Sequence, residues 1–124
     1  MSTVPVELGE LRDRVAGYGP AAFLVTVNDV GRPHVVSVNV AFEDGELVAG
    51  AGRTTSANVA ARPGVTLLWP PSADGYSLIV DGPAAVRAAA DGPVIAIAPN
   101  RAVLHRTVTA PGDGPSCITV LDAR

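Results

Sequence analysis

Apolar and polar positions alternate with a period of two through much of the chain, in short runs. Across Ala21–Asn28, Phe23, Val25 and Val27 fall on one face and Leu24 and Thr26 on the other, the spacing of a strand. The turn Asp29-Val30-Gly31-Arg32-Pro33 leads into a second predicted strand, His34–Phe42. Asp44-Gly45 then marks a hairpin into a third, Glu46–Ala51. Further strands are predicted at Val65–Trp69, stopped by Pro70-Pro71, and at Tyr76–Asp81, which Gly82-Pro83 interrupts. Ala84–Ala89 reads as its bent continuation. Val94–Ala98 and Cys117–Leu121 complete the set, Ala102–Val108 fits strand or helical turn, and Ala110–Pro115 reads as a loop.

The helical period occurs twice. Glu7–Tyr18 places Leu8, Leu11 and Val15 on one side and ends at Gly17, Gly19 and Pro20. A shorter helix fits between Gly52 and the breaker Arg62-Pro63-Gly64. Six or seven short strands with tight turns predict a mainly β fold, a small closed or partly closed barrel with short helices. Long βαβ alternation is missing, which argues against a doubly wound sheet.

Composition supports one domain, residues 1–124, because 124 residues leave little room for a second core. Hydrophobic residues make up 48% but aromatics only 4%, and the apolar residues are mostly Ala and Val rather than Leu, so the core is expected to be modest and association to add to it. All nine basic residues are arginines, scattered along a chain of net charge −3, which does not give the clustered basic face of a nucleic-acid binder. Without lysine there is no Schiff-base chemistry. No apolar run is long enough to span a bilayer and the charged start is unlike a signal peptide, so a soluble, cytoplasmic protein is expected. Cys117 lies in the apolar run SCITVL and is expected to be a buried thiol.

The stretch Ala49–Pro71, AGAGRTTSANVAARPGVTLLWPP, carries the candidate chemistry. Arg53, Thr54, Thr55 and Ser56 all donate hydrogen bonds where a short helix begins, and helix-start amides hold anions. The guanidinium of Arg53 suits a phosphate or carboxylate. Two readings stand: a pocket for a phosphorylated ligand, or a plain cap made by Thr55 or Ser56 beside a solvated arginine. Ser37 and Asn39 alternate on one face of an otherwise apolar strand. If buried, they must be satisfied by a ligand, by protein or by water. The two histidines have no metal-ligand spacing, and neither G-x-S-x-G nor G-x-G-x-x-G occurs.

The order of these motifs resembles the FMN-binding split-barrel family, the pyridoxamine 5′-phosphate oxidase-like proteins. The resemblance runs from Tyr18 to His105. Its most specific pieces are GRPHVV between two strands, GAGRTTSANVAARP, and YSLIVDG. It implies a homodimer of six-stranded split barrels with a flavin-type cofactor at the dimer interface. Carried over by position, it points to His34, Ser37 and Asn39 on the second strand and to Arg53, Thr54, Thr55, Ser56 and Asn58 around the helix start. Trp69 and Ser77 fall where such proteins line the ring system.

This chain departs from the family in having Thr54-Thr55 where flavin-binding relatives carry an Arg-Lys pair. His105-Arg106 does not reproduce the C-terminal Arg/His substrate site of the vitamin oxidase, whose activity is not implied. What the resemblance implies is an FMN-dependent oxidoreductase acting on a small molecule. The alternatives are a reductase using the deazaflavin coenzyme and a non-catalytic flavin, deazaflavin or haem binding protein.

Overall fold

A computed structural model describes residues 4–107, 112 and 114–123, with side chains from Gly9 onward. Helix α1 (Val4–Tyr18) precedes β1 (Ala21–Val27), β2 (Pro33–Glu43) and β3 (Glu46–Gly50). Helix α2 (Arg53–Ala61) is followed by β4 (Gly64–Trp69), β5 (Ser77–Arg87), β6 (Val94–Ile97), β7 (Arg101–His105) and β8 (Cys117–Asp122). All pairings are antiparallel. Strands run in the order β4-β1-β2-β3-β6-β5-β7-β8, and β4 also pairs with β5. That extra pairing closes six strands into a barrel and leaves β7 and β8 as an extension. The architecture is the mainly β split barrel that the sequence predicts.

Local chemistry explains the corners. Asp44 (φ 51°) and Gly45 (φ 80°) both adopt the left-handed region, the two-residue turn that Asp-Gly favours, and set the β2–β3 register at Glu43↔Glu46. Gly19 (φ 86°) ends α1, its N–H returning to the Val15 carbonyl. The predicted break at Gly82-Pro83 is instead a change of partner within one continuous strand. β5 pairs with β4 and β7 up to that point and with β6 from Ala84 onward. Ala102–Val108 resolves as strand through His105, while Val108, most of the Ala110–Pro115 loop and the Leu8 side chain lie outside the described residues.

The barrel interior is filled by Leu24, Leu47, Leu67, Trp69, Leu78, Val80, Ile95 and Ile97, with Leu11 and Val15 of α1 and Leu121 of β8 joining the same core. Along β1, the face bearing Leu24 and Thr26 points inward. Cys117 is exposed, not buried, because it begins β8 at the open edge of the extension, where the burial needed to cover it is lacking. No described helix is long and apolar enough to cross a membrane.

Gly82 sits at the tightest point. A Cβ there would lie 2.1 Å from the Ala98 carbonyl oxygen and 2.9 Å from its carbon. Backbone cannot retreat as a side chain tip does. Gly82→Ala is therefore expected to lower stability by about 2–4 kcal/mol. Urea unfolding checks this, and an unchanged midpoint contradicts the close approach.

Candidate functional site

β2 is eleven residues long, but it registers with β3 only from Val40 to Glu43. From Pro33 to Asn39 its other edge lies open, while β1 pairs along the whole stretch. The Val40 N–H bonds to the Pro20 carbonyl on the β1 side. By strand alternation, the backbone groups of Val35 and Ser37 turn the opposite way, to the open edge. The start of α2 stands beside this edge.

A pocket of about 310 Å³ fills the gap. It is lined by His34, Val36, Ser37 and Val38 of β2, by Gly50 and Gly52, and by Arg53, Thr54 and Thr55. A second cavity of about 280 Å³ shares Ser37 and Val38 and adds Asn39, Ala21, Ala22, Phe23 and Pro70. The fold thus brings His34, Ser37, Arg53, Thr54 and Thr55 into one space, with Asn39 in the next.

The helix start decides between the two readings of the hydroxyl cluster as a cap. Gly52 is the N-cap, in extended conformation, and no side chain caps the helix. The first intrahelical bond is Ser56 N–H to the Gly52 carbonyl at 2.9 Å, so the amides of Arg53, Thr54 and Thr55 precede the helical ladder. Neither Thr55 nor Ser56 acts as the cap. The Ser56 hydroxyl is buried without a hydrogen-bond partner, an open group one turn into the helix. Methyl groups on Gly50 or Gly52 would meet no protein atom within 4 Å. An uncapped helix start, a guanidinium and space above two glycines fit a phosphate group.

Several predicted site residues are placed otherwise. Ser37 and Asn39 are exposed on the outer face of β2, because the inward positions belong to the alternate set Val36, Val38 and Val40. The expectation of a buried polar pair is corrected accordingly. Trp69 is fully buried and its indole N–H donates to the Gly19 carbonyl at 2.8 Å, so in this chain it is core rather than pocket wall. Ser77 begins β5, which lies beyond β1 and β4 from β2, and pairs in register with His105. Asn58 is buried, and its amide donates to the Thr26 hydroxyl at 3.0 Å, tying α2 to β1. Arg62, just past the end of α2, donates to the Val27 carbonyl at 2.8 Å and to the Asp29 carboxylate at 2.6 Å.

Sequence reasoning missed Gly50, Gly52, Phe23 and Pro70. The glycines had a signal, since AGAG directly precedes the helix and leaves its N-cap without a side chain. Phe23 lies opposite Ser37 across the β1–β2 ladder, a neighbour that only the register reveals.

The comparisons with known proteins fit this architecture. The chain is 40% identical over 120 residues to uncharacterized proteins of Mycobacterium bovis and Mycobacterium tuberculosis, covering 86% of this chain and 84% of each of theirs. Among solved structures, a NimC/NimA family protein of Clostridium acetobutylicum superposes with TM-score 0.68 at 11% identity, over 94% of this chain and 95% of that one. A Clostridium acetobutylicum protein related to general stress protein 26, of the pyridoxinephosphate oxidase family, gives 0.67 at 9% identity over 90% and 92%. An F420 reductase gives 0.53 at 19% identity over 66% and 88%. No protein-family profile matches the chain.

The buried Asn58–Thr26 pair yields a direct test of its role. Asn58→Ala leaves the Thr26 hydroxyl without its donor and is expected to cost about 2 kcal/mol in chemical unfolding. A change below 0.5 kcal/mol would contradict a structural role for the pair.

Proposed function

This chain belongs to the same family as the two mycobacterial proteins and has the pyridoxamine 5′-phosphate oxidase-like split-barrel fold; from that premise we propose that it binds FMN and serves hydride transfer to or from a small organic molecule. The observation that carries the reading is the uncapped start of α2 facing the open edge of β2 across one pocket. The amides of Arg53, Thr54 and Thr55 and the Arg53 guanidinium hold the phosphate, where the positive end of the helix dipole adds roughly half a charge. Ser37 and Asn39 lie along the adjoining cavity, where the ring and ribityl chain run past Phe23 and Ala21. Open backbone groups at Val35 and Ser37 supply hydrogen bonds to the polar edge of a planar ring. When bound, the flavin itself supplies the hydride chemistry, while the protein positions it and shields it from water.

The number of cations gives a second reading its support. Among the described residues lining the pocket, Arg53 is the one permanently charged side chain. A phosphate monoester carries a charge of roughly −1.5 to −2 near neutral pH. The phosphodiester of a deazaflavin coenzyme carries a single charge, which one guanidinium matches, and the F420 reductase shares the fold. A binding protein without catalytic activity uses the same site and differs only in turnover.

Homodimerisation completes the proposal. Phe23 (38% exposed) and Val35 (55%) stand on the outer face of β1 and β2, beside the cavity that Ser37 and Asn39 line. A second copy seated there covers this apolar surface and walls the ring site.

Titration of the purified protein with FMN and with the deazaflavin coenzyme, followed by fluorescence, tests the reading. One of them is expected to bind at micromolar concentration, and Arg53→Ala to weaken it tenfold or more, about 1.4 kcal/mol. If neither binds, the coenzyme proposal fails. Gly52→Asp separates anion binding from capping. Its carboxylate caps the free amides, so stability should hold or rise by a few tenths of a kcal/mol. Coenzyme affinity should nevertheless fall at least tenfold, and unchanged affinity would place the phosphate elsewhere.

A further inference from the structure

A third cavity, of about 300 Å³, lies between α1 and β2. Its walls include Val15 and Ala16 of α1, Pro20 before β1, and Val40 and Phe42 of β2. Its size falls at the lower end of small-molecule sites, roughly 300–1,000 Å³. Pro20 and Val40 directly adjoin Ala21 and Asn39, which line the preceding cavity. Val40 and Phe42 belong to the inward-facing set of β2, the face opposite Ser37 and Asn39, so this cavity lies on the other side of the strand from the one those two line. The gap exists because α1 packs chiefly against β8, leaving its β2 side lightly covered.

Arg12 is the single charged residue of this apolar wall. Its guanidinium carbon lies 5.3 Å from the centre of the Phe42 ring, within cation–π range, beside the cavity. Arg12 appears in no ion pair among the described residues, and Glu10 of the same helix pairs with Arg14 instead. The N–H groups of a guanidinium suit a carboxylate bidentately. The apolar walls beside it suit a flat hydrocarbon body and offer little to a sugar or a polar chain.

The geometry points to an aromatic carboxylate as the small molecule this site takes. Its ring lies against Val15, Pro20 and Val40, and its carboxylate pairs with Arg12. Calling that molecule the substrate rests on the coenzyme proposal; its binding does not.

The test measures binding of 2-naphthoate and of its neutral analogue 2-naphthamide by calorimetry, with and without added FMN. Naphthoate is expected to bind the coenzyme-free protein, with naphthamide at least fivefold weaker. Arg12→Gln, a change at an exposed position, should weaken naphthoate fivefold or more and leave naphthamide unaltered. Equal affinity for the two compounds, no effect of Arg12→Gln, or no naphthoate binding at millimolar concentration each overturns the inference. Failure of FMN to bind while naphthoate still discriminates would instead count against the coenzyme proposal alone.

Discussion

β2 is eleven residues long and β3 only five, and the backbone groups that β3 leaves unpaired organise the rest of the molecule. A buried polar backbone must find partners, so an open strand edge inside a compact fold has to face water, a helix end or a ligand. Here the chain leaves β3 through Gly50-Ala51-Gly52 and starts α2 against that edge. Two sets of free donors, one from the strand and one from the helix, end up across one pocket. Closure of the barrel at β4–β5 holds this arrangement in place, and closure in turn depends on β5 changing partners at Gly82.

The pocket concentrates its positive character in backbone amides and one guanidinium. Backbone amides are fixed by the fold and lose no side-chain freedom on binding, an advantage over flexible basic side chains. Arg53 is exposed, and its contribution is accordingly sensitive to salt. The helix is anchored from behind by Asn58 against Thr26 and by Arg62 against the β1–β2 turn. Both residues hold the helix whose start faces the pocket.

Much of the barrel was legible because its corners are written in turn chemistry. Asp44-Gly45 and the Gly19-Pro20 stop fall where the structure has them. Which face of a strand turns inward is less legible when both carry apolar side chains: on β1 Phe23, Val25 and Val27 lie on the outer face and Leu24 and Thr26 on the inner one. Ser37 and Asn39 belong to the outer face of β2, and Val36, Val38 and Val40 to the inner one. Cys117, expected to be buried, is exposed because it begins β8 at the open edge of the extension. Of the two readings of the hydroxyl cluster, the cap at Thr55 or Ser56 is excluded, because the residue in the cap position is Gly52.

The central claim is that an anion seats on the first turn of α2. Backbone amide shifts recorded by NMR during titration with FMN test it most directly, since they report on each N–H without any substitution. The account predicts that the largest changes fall on Arg53, Thr54 and Thr55, with a second group at Val35 and Ser37 and little movement at Ser77 or Trp69. Largest changes on β7 and β8, with the start of α2 unmoved, would contradict it.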